Sequence, residues 1–165
     1  MNYILLLYLM NIVFYSYVIG ITYKYGVQTS ISESYYKLPR NLQWLFTIAT
    51  WSYAIPAIII GVPYSGLAFL AGAGIMFVGA SPAFHDDGPS GTNQEHLVHM
   101  IGAIIGITAA QVFICFILGQ WWNTLSFVGL SGLTFLIPSM NKNVTWWVEI
   151  YAFISMTIAY SLLLF

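Results

Sequence analysis

The stretch that decides the fold is Leu42 to Val62, "LQWLFTIATWSYAIPAIIIGV". It runs for 21 residues without a charged side chain. A helix needs about 20 mostly apolar residues to cross a bilayer's hydrocarbon core. Five more segments approach that length and composition: Asn2 to Thr22, Gly66 to Phe84, Leu97 to Leu118, Trp121 to Pro138 and Val144 to Phe165. Backbone polarity forces helices or closed barrels in lipid, and the alternation a barrel needs is absent. The expected fold is therefore all-α: one polytopic bundle of about six transmembrane helices over residues 1–165, with no soluble domain.

Composition agrees. The chain is 59% hydrophobic, 18% aromatic and 5% charged. A soluble domain carries about 25% charged residues, and this chain could not cover a water-facing surface. A net charge of −1 shows no basic excess, which excludes nucleic acid as a partner. Cys115 is the only cysteine, so no intrachain disulfide forms. The stretch "MNYILLLYLMNIVFYSYVIG" has no Lys or Arg before Lys24 and no A-x-A-like cleavage site. It is expected to be a retained transmembrane helix rather than a signal peptide.

Six crossings put the loops after the first, third and fifth helices on one side. Lys24, Lys37 and Arg40 lie in or beside the first of these loops, and Lys142 lies in the last. The positive-inside rule then places these loops in the cytoplasm and both termini outside, in a cell (inner) membrane. Trp44, Trp121, Trp122, Trp146 and Trp147 fall near helix ends, where interfacial rings are expected.

Small residues mark expected helix contacts. Ala68, Gly72 and Gly79 lie on the third segment, and Gly102 and Gly106 on the fourth. Such faces let helices approach closely in lipid, the third expected against the fourth, and offer a route to a homo-oligomer. Asn11 and Gln111 are expected to hydrogen-bond between helices.

All three histidines and three of five carboxylates gather in "FHDDGPSGTNQEHLVHM", Phe84 to Met100. His85, Asp86 and Asp87 end the third segment. Glu95, His96 and His99 begin the fourth and share a helix face. Thr92 or Asn93 can cap that helix. "QTSISESYYKLPRN" (Gln28 to Asn41) adds Glu33, and its "SISESYYKLP" (Ser30 to Pro39) reads as an interfacial re-entrant turn or a cap before the second helix. Glu149 lies roughly 8–10 Å along the sixth helix from its Lys142 end. All five acids and all three histidines can then occupy one half of the membrane. A carboxylate inside a membrane helix normally faces the bundle interior or a water cavity.

Three imidazoles with nearby carboxylates suit zinc or another divalent transition metal. His85, His96 and His99 would be the ligands, with Asp86, Asp87 or Glu95 orienting a ligand or acting as base on bound water. A solvated polar loop and a pH-sensing histidine cluster remain open beside that reading.

The blocks "SISESYYKLP", "FLAGAGIMFVGASPAF" and "HLVHMIGAIIGI" resemble small multi-helix membrane proteins of bacteria and their phages, a group without an assigned activity. Ser81-Pro-Ala-Phe-His85, followed by Asp86 and Asp87, resembles locally the Ser-x-x-x-His element of the CREST membrane hydrolases, which include alkaline ceramidases. That resemblance implies three zinc-bound histidines, Ser81 stabilising an oxyanion and an Asp as general base. The chain differs in having six helices rather than seven and no His-x-x-x-His pair on its last helix.

Three functions follow as expectations. The first is a small metal-dependent hydrolase of membrane lipid amides or esters, with Asp86, Asp87, Ser81 and Glu149 as catalytic candidates. The second is an oligomeric channel, transporter or membrane-perturbing effector using Glu149. The third is a structural or accessory protein acting through helix contacts.

Overall fold

The computed structural model describes residues 2–82 and 93–165. The fold is an all-α bundle, with no strand among the described residues. Helix α1 (Tyr3–Tyr25) starts where the Asn2 side chain accepts from the Leu5 amide at 3.1 Å. It ends at Gly26, whose φ of 79° reverses the chain. A buried turn leads into the short α2 (Ser34–Lys37). Then come α3 (Trp44–Gly61), α4 (Gly66–Ala80), α5 (Asn93–Val112) and α6 (Trp121–Leu136). A π-turn over Phe113–Ile117 extends α5. The short α7 (Pro138–Asn141) and the long α8 (Val144–Leu164) complete the chain.

Two helix ends differ from expectation for one reason. Helix α4 stops at Ala80 instead of reaching Phe84, and α6 stops at Leu136 instead of Pro138. Ser81 and Ile137 each precede a proline, whose ring disfavours helical backbone in the preceding residue. Ser81 has ψ 57° and Ile137 ψ 111°. Pro138 then opens α7 at a first-turn position that suits it.

Four helical stretches are long and apolar enough to cross a membrane: Tyr3–Tyr25, Arg40–Gly61, Asn93–Ile117 and Val144–Leu164. Helix α4 has 15 residues and α6 has 16. At about 1.5 Å per residue they reach only about 22–24 Å, short of a hydrocarbon core of about 30 Å. All six long helices fall in the expected places, but only four have the length of a full crossing.

Helix α3 packs between α1 and α4, α4 packs on α5, and α6 packs on α8. Helix α8 also meets α1 and α5. Phe14, Tyr53 and Phe153 join α1, α3 and α8, with ring centroids 4.0–5.1 Å apart. The α4–α5 crossing is backbone against backbone. A Cβ on Gly74 would lie 2.5 Å from the Gly102 carbonyl oxygen and 2.5 Å from the Gly106 amide. Gly102 and Gly106 therefore pack as expected, but their partner is Gly74. Ala68, Gly72 and Gly79 face α3 instead. A Cβ on Gly72 would strike Ile58, one on Gly79 would strike Thr50, and Ala68 lies against Gly61.

Interior polar side chains pair between helices. The Thr157 hydroxyl donates to Asn11 Oδ1 at 2.7 Å, and Tyr53 donates to the Phe153 carbonyl at 2.8 Å. Ser155 donates to Asn123 Oδ1 at 2.9 Å, Asn123 Nδ2 donates to the Ser155 carbonyl at 2.9 Å, and Gln111 Nε2 donates to the Ser155 hydroxyl at 3.3 Å. Trp44, Trp121 and Trp122 are exposed as interfacial rings should be, whereas Trp146 is 3% exposed and belongs to the core.

Candidate functional site

Residues Val27 to Glu33 fold back into the bundle instead of lying over it. Gln28, Ser30, Ile31 and Ser32 are all buried. Buried backbone must find hydrogen-bond partners, and the hydroxyl-rich sequence supplies them. Gln28 Nε2 donates to the carbonyls of Tyr25 and Gly26 at 2.8 and 2.9 Å. The Glu33 amide donates to Ser30 Oγ at 3.1 Å, and Ser34 Oγ donates to the Ile31 carbonyl at 2.5 Å. Tyr17 and Ser34 join their hydroxyls at 2.6 Å, which ties the turn to α1.

Two bonds tie the same turn to the start of α8. The Trp146 amide, one of the first-turn donors without an intrahelical partner, donates to the Thr29 carbonyl at 3.0 Å. The Ile31 amide donates to Glu149 Oε2 at 2.6 Å. The turn completes the helix end, and the helix carboxylate completes the turn.

Glu149, itself partly exposed, lines a half-open cavity of about 50 Å³ between the helices. The wall comes from the turn (Ile31, Ser32), α3 (Phe46, Thr50), α4 (Ile75, Val78), α5 from Gly102 to Ala110, and α8 from Glu149 to Met156. Apart from Glu149, only Ser32 and Thr50 among the wall residues carry a side-chain oxygen, and the cavity surface is almost wholly apolar. The Thr50 hydroxyl donates back to the carbonyls of Phe46 and Thr47 at 3.1 and 3.0 Å, so its lone pairs stay available. Five residues of α5 line the wall, and the eight steps from Gly102 to Ala110 span about 12 Å along the helix.

The carboxylate has no cationic partner among the described residues. Lys24, Lys37, Arg40 and Lys142 are all exposed. Lys37 pairs with Glu33 at 3.8 Å, and Lys24 sits 5.0 Å from the centroid of the Tyr25 ring.

The histidine cluster is only partly described. His85, Asp86 and Asp87 lie outside the described residues. His96 is exposed while His99 is 4% exposed, so the two imidazoles divide between surface and interior. His99 Nδ1 lies 3.1 Å from the Ser81 carbonyl oxygen. A carbonyl only accepts, so Nδ1 carries the proton in that bond. Ser81 is 8% exposed. Its observed contact to a histidine runs through the main chain. Among the described residues, no three His, Cys, Asp or Glu side chains are placed to hold a metal ion.

Sequence reasoning identified Glu149 and the re-entrant turn separately. It missed that they bond to each other, and it missed Thr50, Phe46 and Phe153 as wall residues. The dense hydroxyls of "SISES" were the available signal for a turn that must satisfy its own backbone. No family model, curated protein or solved structure matches the chain.

Proposed function

We propose that the protein is an integral membrane carrier or channel whose working centre is the Glu149 cavity. One observation carries this reading: a carboxylate with a single amide donor lines an otherwise apolar cavity inside a membrane-type bundle. An ionised group in such a place requires a counter-charge, a proton or water, and intramembrane carboxylates of this kind mark ion and substrate paths. The protein resides in the inner membrane, with the Lys24–Arg40 and Lys142 loops cytoplasmic and both termini outside. Membrane lipid surrounds it, and a homo-oligomer would extend the path that one small bundle can enclose. The test is flux into liposomes holding the purified protein, compared with Glu149→Gln. Flux through the wild type that Glu149→Gln abolishes supports the reading. Absence of flux from the folded wild type, under proton and cation gradients of both directions, refutes it.

A second reading, the metal-dependent membrane hydrolase, is favoured by the His99 to Ser81 bond. A metal-bound imidazole is usually held by just such a bond from its other nitrogen to a carbonyl. His85, His96 and His99 would hold zinc or another divalent metal, and the metal would activate water near lipid carbonyls. Metal analysis of the purified protein decides this: stoichiometric zinc lost in His99→Ala supports it, and trace metal that does not rise with added zinc refutes it.

A further inference from the structure

We infer that the Glu149 cavity binds a small organic ammonium ion, a group of the size of methylammonium. The inference takes from the proposed function only that this cavity is the working site. Four features of the wall select this chemistry.

The first is charge. Glu149 has one neutral donor, the Ile31 amide on Oε2, and every Lys and Arg of the chain is exposed. A monovalent cation is the complement that a lone interior carboxylate lacks.

The second is the number of oxygens. A primary ammonium carries three donors and no acceptor. Besides Glu149, only Ser32 and Thr50 among the wall residues carry a side-chain oxygen. Hard divalent cations ask for about six to eight oxygens, so so few oxygens suit them poorly.

The third is the ring surface. Phe46 and Phe153 line the same cavity. Phe46 is fully buried, and Phe153 is fixed by ring contacts at 4.0 Å to Phe14 and 4.7 Å to Tyr53. Fixed aromatic faces attract ammonium more readily than they replace the hydration of a metal cation. Met156, also in the wall, adds a polarisable sulfur.

The fourth is size. A single water needs about 10–15 Å³ of such space, so a cavity of about 50 Å³ holds a headgroup of a few heavy atoms and not a drug-sized cation.

The test is calorimetric titration of the purified full chain in detergent with methylammonium chloride, with potassium and tetramethylammonium chlorides as competitors. Saturable methylammonium binding that neither salt displaces at equal concentration is the expected result. Glu149→Gln should weaken it roughly ten- to a hundredfold, the range of a lost charge-assisted bond. Gln keeps an oxygen for the Ile31 amide. Thr50→Val, which removes one neutral acceptor, should weaken binding a few-fold and carries the test if Glu149→Gln does not fold. No saturable binding to folded wild type, or equal displacement by potassium, overturns the inference. Binding without flux keeps the inference and removes the carrier reading. Flux without methylammonium binding does the reverse.

Discussion

Gly74→Ala tests the closest contact in the bundle. The new Cβ would lie 2.5 Å from the Gly102 carbonyl oxygen, 2.5 Å from the Gly106 amide and 2.6 Å from Gly106 Cα. All three obstacles are backbone, so no rotamer change relieves them. Ordinary contact begins near 3.4 Å, and α4 and α5 must part by about 0.9 Å to reach it. A radial gap of about 0.5–1 Å forfeits a quarter to a half of each dispersion contact. Overpacking of this kind costs about 1–3 kcal/mol, and the upper half of that range is expected here. Gly72→Ala should cost about as much, because a Cβ there meets Ile58 Cγ1, on a β-branched side chain held to one χ1 in a helix, and the Ala54 carbonyl oxygen at 3.0 Å. Gly20→Ala is the control: nothing lies within 4 Å of its Cβ position, and replacing a helical Gly should gain up to about 1 kcal/mol. Reversible SDS titration in mixed micelles, followed by circular dichroism, gives all three differences. If Gly74→Ala unfolds within about 0.5 kcal/mol of wild type, well under the overpacking range, the close crossing is wrong. Gly20→Ala costing as much as Gly74→Ala would refute it equally.

The same titration separates the two roles of Glu149. Glu149→Leu strands the buried Ile31 amide and should cost about 1–3 kcal/mol, whereas Glu149→Gln keeps an acceptor and should cost less; equal losses would mean the Ile31 bond is unimportant. Asn123→Ala and Ser155→Ala should couple by about 0.6 and at most about 1.7 kcal/mol in a double-mutant cycle, and additive effects would count against the paired bonds at 2.9 Å. Topology is open to labelling. With Cys115→Ala as background, Lys142→Cys should resist an impermeant thiol reagent in intact cells and Phe165→Cys should react; the opposite pattern inverts the proposed orientation.

What the sequence made legible depended on the range over which the physics acts. Hydropathy located all six long helices, because burying backbone in lipid is a property of each segment alone. The packing of the third segment on the fourth was visible too, as α4 does pack on α5, but not which small residue of α4 makes that contact. Gly72 and Gly74 differ by about 200° around a helix, so they serve opposite neighbours: Gly72 meets α3 and Gly74 meets α5. Spacing by four identifies a face and says nothing about which helix arrives there. The Ile31–Glu149 bond joins positions 118 residues apart, and no local pattern encodes it. Trp146 was misplaced at the interface for a related reason. Its position near a helix end is a local fact, but its burial follows from the turn whose Thr29 carbonyl accepts its amide.

Helix α8 shows why Glu149, rather than its other polar residues, marks the site. Thr157 shares its hydroxyl with Asn11, Tyr15 and Tyr53. Ser155 bonds to Asn123 and Gln111. Tyr160 donates to the Ala57 carbonyl at 2.9 Å. These neutral groups are paired across helices, and pairing of that kind is ordinary bundle cohesion. A few neutral atoms stay buried without a bond, among them Gln111 Oε1, Ser131 Oγ and Trp147 Nε1. Each orphan of that sort costs about 1–3 kcal/mol, whereas an unneutralised interior charge costs more. Glu149 is the one carboxyl group on this helix, and it receives one amide where a carboxylate can accept about four bonds. A merely structural role for position 149 would be met by Gln, which bonds Ile31 as well without the cost of an ionised group. The acid therefore makes physical sense only if something positively charged, a proton or a cation, shares the cavity with it.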